Sequence, residues 1–128
     1  MNMMTQQATP AFAGQDLLDA WQQLRESQPR LRIREAAVHL NVSEAELLYA
    51  SQGERVVRLK PDWTALMDAL PGMGELMALT RNDYCVHERH GRYDNINLSR
   101  NGQMGLVVNP DIDLRLFMTD WSSLFAVS

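Results

Sequence analysis

The period of the hydrophobic pattern changes near the middle of the chain, and this change constrains the fold more than any other feature. Up to Leu70, apolar residues recur at helical spacing, whereas beyond Gly74 they mostly alternate with polar residues. Alternation of this kind predicts strands with one buried face. Helices followed by closely spaced strands predict an α+β fold, in which N-terminal helices pack on an antiparallel β-sheet meander.

Capping and turn residues set the expected element boundaries. Ser43 and Glu46 form a capping box, which predicts a helix start, and Pro71-Gly72 closes a later helix. The predicted helices span residues 16–27, 33–40, 44–53 and 63–70. The predicted strands span residues 55–59, 75–81, 84–89, 93–98, 104–108, 114–118 and 124–127, with turns at Asn82-Asp83, His90-Gly91, Asn101-Gly102 and Asn109-Pro110.

The last strand is apolar and is followed only by Ser128. We therefore expect a fold that is truncated at its C-terminal end. Its final strand is then either an exposed edge or is covered by a longer parent chain or a second chain.

Length and charge limit the possible classes of protein. The 128 residues predict a disordered leader, residues 1–15, followed by one domain, residues 16–128. The net charge of −4 argues against nucleic-acid binding as the main function. No segment is long and apolar enough for membrane insertion, and a single cysteine fits a reducing compartment, so a cytoplasmic location is expected.

The second and third predicted helices resemble a helix-turn-helix, which leaves two interpretations. One is a DNA-binding regulator. The other is a helical hairpin that packs on a sheet. The third helix begins Glu44-Ala45-Glu46 and carries no basic or amide side chain in its first turns, where base contacts are made. The hairpin interpretation is therefore favoured.

The stretch Arg81–Leu98 concentrates the side chains that could carry chemistry. Alternation predicts Tyr84, Val86 and Glu88 on one strand face and Cys85, His87 and Arg89 on the other. With a turn at His90-Gly91, the chain would return as a hairpin. Such a surface could hold a metal or a cofactor.

Three of the candidate residues each have a structural and a functional interpretation. Cys85 is expected to be a buried inert thiol rather than a nucleophile paired with His87. His87 is either a solvated side chain or a ligand. Arg115 shares a strand face with Asp113 and Phe117. It either forms an ion pair, with Asp113 or with a neighbour across the sheet, or binds a ligand carboxylate.

Two runs, LTRNDYCVHERHGRYDNINL and GQMGLVVNPDIDLRLFMTDWSSLFAV, resemble the N-terminal half of the HemS/ChuS/HmuS family of haem-utilisation proteins. In that family an arginine, an asparagine, an acidic residue and a tyrosine precede a V-H-E step. A later N-P leads into D-L-R-L-F, with a tryptophan shortly after. The upstream helices match more loosely, so the resemblance as a whole covers roughly Leu17 to Val127.

The resemblance implies a cytoplasmic protein that binds haem in a cleft and takes part in haem trafficking during haem uptake and iron acquisition. Arg115 matches the family arginine on the distal side of haem. His87 matches a histidine considered for a second or alternative haem site, and would be the metal ligand. Phe117 would add apolar surface.

The alternative function is that of a haem-degrading oxygenase, which we rank below carriage. Typical members are about twice as long, and their principal iron ligand lies in the second half, so the expected partners are haem and a missing C-terminal half or a second chain.

Overall fold

The computed structural model describes residues 14–128. The described chain has four α-helices, α1 to α4, and seven strands, β1 to β7. In chain order they are α1 (Gln15–Ser27), α2 (Ile33–Leu40), α3 (Glu44–Ala50), β1 (Val56–Leu59), α4 (Trp63–Ala69), β2 (Glu75–Arg81), β3 (Val86–Arg92), β4 (Ile96–Leu98), β5 (Met104–Val108), β6 (Asp113–Phe117) and β7 (Leu124–Val127). Short 3₁₀ turns occupy Leu70–Met73 and Met118–Asp120. The α+β class is confirmed.

These elements form two compact units. The first runs up to Lys60 and includes Ser123–Ser128, and the second is Pro61–Ser122. The predicted leader, residues 1–15, lies outside the described residues except for its last two positions, and Gln15 is the first residue of α1. No helix in residues 14–128 is long and apolar enough to cross a membrane.

Three helices build the core of the first unit. Its buried cluster consists only of helix residues, namely Leu17, Trp21, Ala36, Ala37 and Leu47. The predicted capping box is confirmed, because Ser43 N donates to Glu46 Oε2 at 2.6 Å and Glu46 N donates to Ser43 Oγ at 3.1 Å. The helical hairpin α2–α3 therefore buries its apolar side against α1, and not against a sheet as expected.

A two-stranded sheet completes the first unit. β1 pairs with β7 in antiparallel register, from Val56 opposite Val127 to Leu59 opposite Leu124. The final strand therefore has a partner along one edge, and that partner lies far away in the sequence. The expected continuation of the meander into residues 124–127 is wrong.

The second unit contains a two-stranded sheet, β2–β3, and a three-stranded sheet, β4–β5–β6. All pairings are antiparallel. One cluster of buried residues, Ala78, Val107 and Ile112, contains residues of both sheets, and Tyr93, Ile96, Leu114 and Leu116 pack against it. The predicted single meander is thus divided, because β3 does not pair with β4.

The predicted turn at His90-Gly91 is wrong, since both residues lie inside β3. The predicted turn at Asn82-Asp83 is confirmed and makes the reversal between β2 and β3, where Asn82 Oδ1 accepts hydrogen bonds from the backbone N–H groups of Tyr84 and Cys85, both at 2.9 Å. A Cβ on Gly91 would lie 2.8 Å from Asp111 Cβ. Glycine is required here for close packing within a strand, and not for a turn.

The other two turns follow the sequence expectation. Gly102 has φ +70, and Ser99 N donates to Met104 O at 2.8 Å across that turn. Asn109 Oδ1 accepts from the N–H groups of Asp111 and Ile112, both at 2.9 Å. Asparagine side chains therefore organise the turns on both sides of β5, since Asn101 Oδ1 likewise accepts from Gln103 N at 3.1 Å in the turn before it.

Candidate functional site

The three-stranded sheet presents one face to the core and the other to solvent. Leu114 and Leu116 of β6 pack against the buried cluster of the second unit. Because neighbouring side chains on a strand point to opposite faces, Asp113, Arg115 and Phe117 project outward. We call this exposed side the outer face. Its residues are Asn97, Met104, Leu106, Val108, Asp113, Arg115 and Phe117.

The outer face is mainly apolar. Leu106 is the direct cross-strand partner of Arg115, and Met104 is that of Phe117. Met104 is 50% exposed and Phe117 52%, and Leu106 and Val108 are also exposed. A contiguous exposed apolar surface of this kind usually marks a binding site for a ligand, another protein or a membrane.

Arg115 places a cation within this apolar surface. Its Nη1 lies 3.2 Å from Asp113 Oδ1, so the ion pair that was one of the alternatives for Arg115 does form. Both side chains are well exposed, at 66% and 63%, so the pair adds little to stability. Since a guanidinium has five N–H donors, the contact with Asp113 leaves several able to reach a ligand. Arg115 can therefore bind an anionic group above an apolar floor.

His87 lies on a different surface. It is opposite Thr80 in the β2–β3 pairing, so it shares a strand face with Ala78, which is buried in the core cluster. That inner face of β2–β3 and the core-facing side of β4–β5–β6 pack on the same cluster, whereas Arg115 points away from it. The structure thus brings Arg115 and Phe117 together and does not bring His87 to them.

The surroundings of His87 are open. The side chain is exposed, and no group of three or more His, Cys, Asp or Glu residues that could hold a metal ion occurs within residues 14–128. His87 could therefore contribute a single imidazole to a metal that has other ligands. It does not belong to a protein metal cage.

Cys85 is exposed in the turn before β3, so the prediction of a buried thiol is wrong. The reason is the Asn82 turn, which shifts the start of the strand to Val86 and leaves Cys85 outside it. The expected surface made of Cys85, His87 and Arg89 does not form as a unit. Arg89 instead contacts Asp111, with Nη2 at 2.7 Å from Oδ1.

The residues that sequence reasoning missed are Met104, Leu106 and Val108. Their alternation with Gly105 and Val107 was visible, and Gly105 and Val107 are buried. Without the β5–β6 register, the sequence did not place Met104, Leu106 and Val108 beside Arg115. In the structure Leu106 lies directly opposite Arg115, and Met104 and Val108 lie on the same face on either side of Leu106.

A separate cleft of ≈ 520 Å³ lies beside Trp63 and Trp121, whose rings meet edge to face with centroids 5.2 Å apart. Its polar wall includes Asn101 and Gln103. Asn101 Nδ2 already donates to Gln103 Oε1 at 3.1 Å. The cleft has the size of a ligand site.

Comparison with known proteins connects this chain with haem. Residues 41–128 match the family model described as the haemin-degrading HemS.ChuX domain. The hemin transport protein HemS of Yersinia enterocolitica is 41% identical over 113 residues, a stretch that covers 88% of this chain and 32% of that protein.

Solved structures give the same result. PhuS, a haem-binding protein from Pseudomonas aeruginosa, matches in its apo form with 55% identity and a TM-score of 0.83, over 93% of this chain and 34% of PhuS. The haem-degrading enzyme ChuS of Escherichia coli O157:H7 matches with 36% identity and a TM-score of 0.76, over 87% of this chain and 33% of ChuS. The chain thus spans about a third of the length of these relatives.

Proposed function

The chain belongs to the haemin-degrading HemS.ChuX family, and we propose that it binds haem on the outer face and serves haem trafficking in the cytoplasm. The role would be part of haem uptake and iron acquisition. Support comes from the relatives, since HemS is a hemin transport protein and PhuS also matches in its holo form, with a TM-score of 0.83.

The observation that carries the proposal is the position of Arg115. It rises from β6 between Asp113 and Phe117, and its cross-strand neighbour is Leu106. Haem offers a flat apolar macrocycle, two anionic propionates and an iron that takes axial ligands. The apolar side chains of the outer face suit the macrocycle, and a guanidinium suits an anionic group of the bound haem. The residues present therefore fit the cofactor.

Phe117 and Arg115 have different roles in this proposal. Phe117 is 52% exposed opposite Met104, so its ring supplies apolar contact area beside the macrocycle. Arg115 supplies charge and hydrogen-bond donors on the same side. When bound, haem would supply the redox-active iron, and the protein would orient it and limit access of water.

The iron ligand would come from elsewhere. His87 faces away from Arg115, so one haem on the outer face would not take both residues. We therefore propose His87 as a ligand of a second or alternative haem site. The principal ligand would be supplied by polypeptide that the longer relatives have, or by a second chain.

Haem titration monitored by Soret absorbance tests the proposal. We expect Arg115→Ala and Phe117→Ala to weaken binding, each by about tenfold, because each removes one contact of a single ligand. Arg100→Ala, in the exposed turn between β4 and β5, is the matched control and should bind like the wild type. If neither outer-face variant changes binding, the outer face is not the site.

Carriage and degradation make different predictions for the bound pigment. Incubating the haem complex with ascorbate leaves the Soret band intact for a carrier. Release of CO with formation of a bilin would instead establish the oxygenase alternative. We propose carriage, since the outer face holds one cation and otherwise offers mainly apolar contacts.

We also propose that the chain has no nucleic-acid partner. The first turn of α3 carries Glu44 and Glu46, whose negative charge would face the phosphate backbone. DNA binding with a steep salt dependence would contradict this proposal.

A further inference from the structure

The hairpin β2–β3 has a second face that the proposed haem site does not use. Ala78 and Gly91 are buried on its inner face. Alternation therefore directs every second residue outward, and we call this outward side the ribbon face. Its residues are Glu75, Met77, Leu79 and Arg81 from β2, and Val86, Glu88, His90 and Arg92 from β3.

The ribbon face combines exposed apolar residues with charges of both signs. Met77, Leu79 and Val86 are 46%, 45% and 46% exposed. The five charged or titratable side chains on the face are exposed, and none has an ion pair or side-chain hydrogen bond within residues 14–128. The surface therefore has both apolar area and unused charge for a partner.

The order of residues along β2 is self-complementary. Acidic Glu75 stands at one end and basic Arg81 at the other, with Met77 and Leu79 between them. Consider two copies whose ribbon faces are in contact and are related by a two-fold axis that runs between the faces, perpendicular to the strands. Glu75 of one copy would then lie against Arg81 of its partner. Met77 would likewise lie against Leu79, and every contact would occur twice.

β3 follows the same rule under that axis. His90 of one copy would meet Glu88 of the other, because these residues lie on either side of the ribbon centre. Arg92 would lie over Val86, where its aliphatic stem can pack. Glu75 and Arg81 therefore form an opposite-charge contact that occurs twice in the dimer, and the His90 imidazole can hydrogen-bond to Glu88.

From this pattern we propose that the ribbon face binds a second copy of this chain, as a two-fold dimer with Glu75 opposite Arg81. Two sheets that pack face to face in this way keep their strand directions within about 30° of each other. The face is only seven residues long, so its area is smaller than the roughly 800 Å² per partner of a stable dimer. The dimer should therefore be weak, with a dissociation constant on the order of 10–100 µM.

Sedimentation equilibrium of the full chain tests the proposal at concentrations from about 10 µM to about 500 µM. The wild type should pass from monomer to dimer over that range, and added salt should weaken the dimer. Arg81→Glu and Glu75→Arg should each weaken it by about tenfold or more, since each places like charges opposite one another twice. Arg100→Glu makes the same charge change away from the face and should leave the dimer intact.

Mixing the two variants gives the sharpest result. Arg81→Glu provides two acidic positions and Glu75→Arg two basic ones, so the mixture should form a heterodimer more tightly than either variant forms a dimer with itself. A circular dichroism melt checks folding, and Glu75→Gln with Arg81→Gln replaces the reversals if either fails to fold. The proposal is overturned by a wild type that stays monomeric throughout, by reversals that leave dimerisation unchanged, or by a mixture that does not associate.

Discussion

Arg89 Nη2 lies 2.7 Å from Asp111 Oδ1, and this ion pair joins two segments that are 22 residues apart in the chain. It connects β3 with the loop between β5 and β6. Gly91, two residues further along β3, packs against the same loop. The last part of β3 is therefore held against the loop between β5 and β6.

That close approach predicts the effect of adding a methyl group at Gly91. A Cβ there would lie 2.8 Å from Asp111 Cβ and 3.1 Å from Ile112 Cγ1, so the loop would have to move. Gly91→Ala should lower the free energy of unfolding by about 1–3 kcal/mol, as overpacking does. Gly72→Ala is the control, because its Cβ would meet nothing within 4 Å. Urea unfolding measures both, and equal midpoints would refute the packing described for Gly91.

The core of the first unit should be most sensitive at Leu47. Its side chain is 0% exposed and packs in the cluster with Leu17 and Trp21. Leu47→Ala should cost about 2–5 kcal/mol, because the deletion leaves a cavity among three helices. Val38→Ala, at 79% exposure, removes apolar groups from the surface and should change stability little. Thermal melts followed by circular dichroism compare the two variants.

The contact between Asp113 and Arg115 should oppose ligand binding slightly. Their exposed pair, at 3.2 Å, competes with an anionic ligand for one guanidinium nitrogen. Asp113→Asn should therefore raise haem affinity by about two- to fivefold, the range expected from an exposed ion pair. Arg115→Lys should lower it, since an ammonium cannot make a forked contact. Soret titrations of both variants check this, and weaker binding by Asp113→Asn would show that Asp113 orients Arg115 instead.

Tyr93 should make stability fall at high pH. Burial raises the pKa of the Tyr93 hydroxyl above its ordinary value of 10.0. The unfolded chain then loses the phenolic proton at a lower pH than the folded protein does. The contribution of Tyr93 to the free energy of unfolding is consequently constant below about pH 10, and it falls as pH rises from there towards the folded-state pKa.

Tyr93→Phe should reduce that alkaline loss, because phenylalanine has no proton to release. Tyr84→Phe serves as the control, since Tyr84 is 95% exposed. Urea midpoints measured on both sides of pH 10 should separate the two variants. Identical pH profiles for Tyr93→Phe and the wild type would contradict the assignment.

Local sequence signals predicted most of the elements. The Ser43–Glu46 capping box marked the start of α3, and Asn101-Gly102 and Asn109-Pro110 marked turns, because each of these signals acts within a few residues. Histidine followed by glycine was misread as a turn. The requirement for Gly91 comes from Asp111 and Ile112, which are distant in sequence.

In the candidate site, too, the features set by neighbouring residues were predicted and those set by distant residues were not. Alternation along β6 correctly grouped Arg115 with Asp113 and Phe117. The position of His87 relative to Arg115 and Phe117 depends on how the β2–β3 and β4–β5–β6 sheets pack on the same buried cluster. No local pattern carries that information. The roles of Arg115, His87 and Phe117 in haem binding stay predictions that the titrations above address.

The pairing of β1 with β7 has a consequence for biosynthesis. Leu59 is opposite Leu124, so the 64 residues from 60 to 123 separate two adjacent strands. On the ribosome, β1 emerges long before its partner and stays without it while the whole of Pro61–Ser122 is made. Closing so long a loop is slow compared with forming a local hairpin. β1 should therefore be among the last of these strands to acquire its hydrogen bonds.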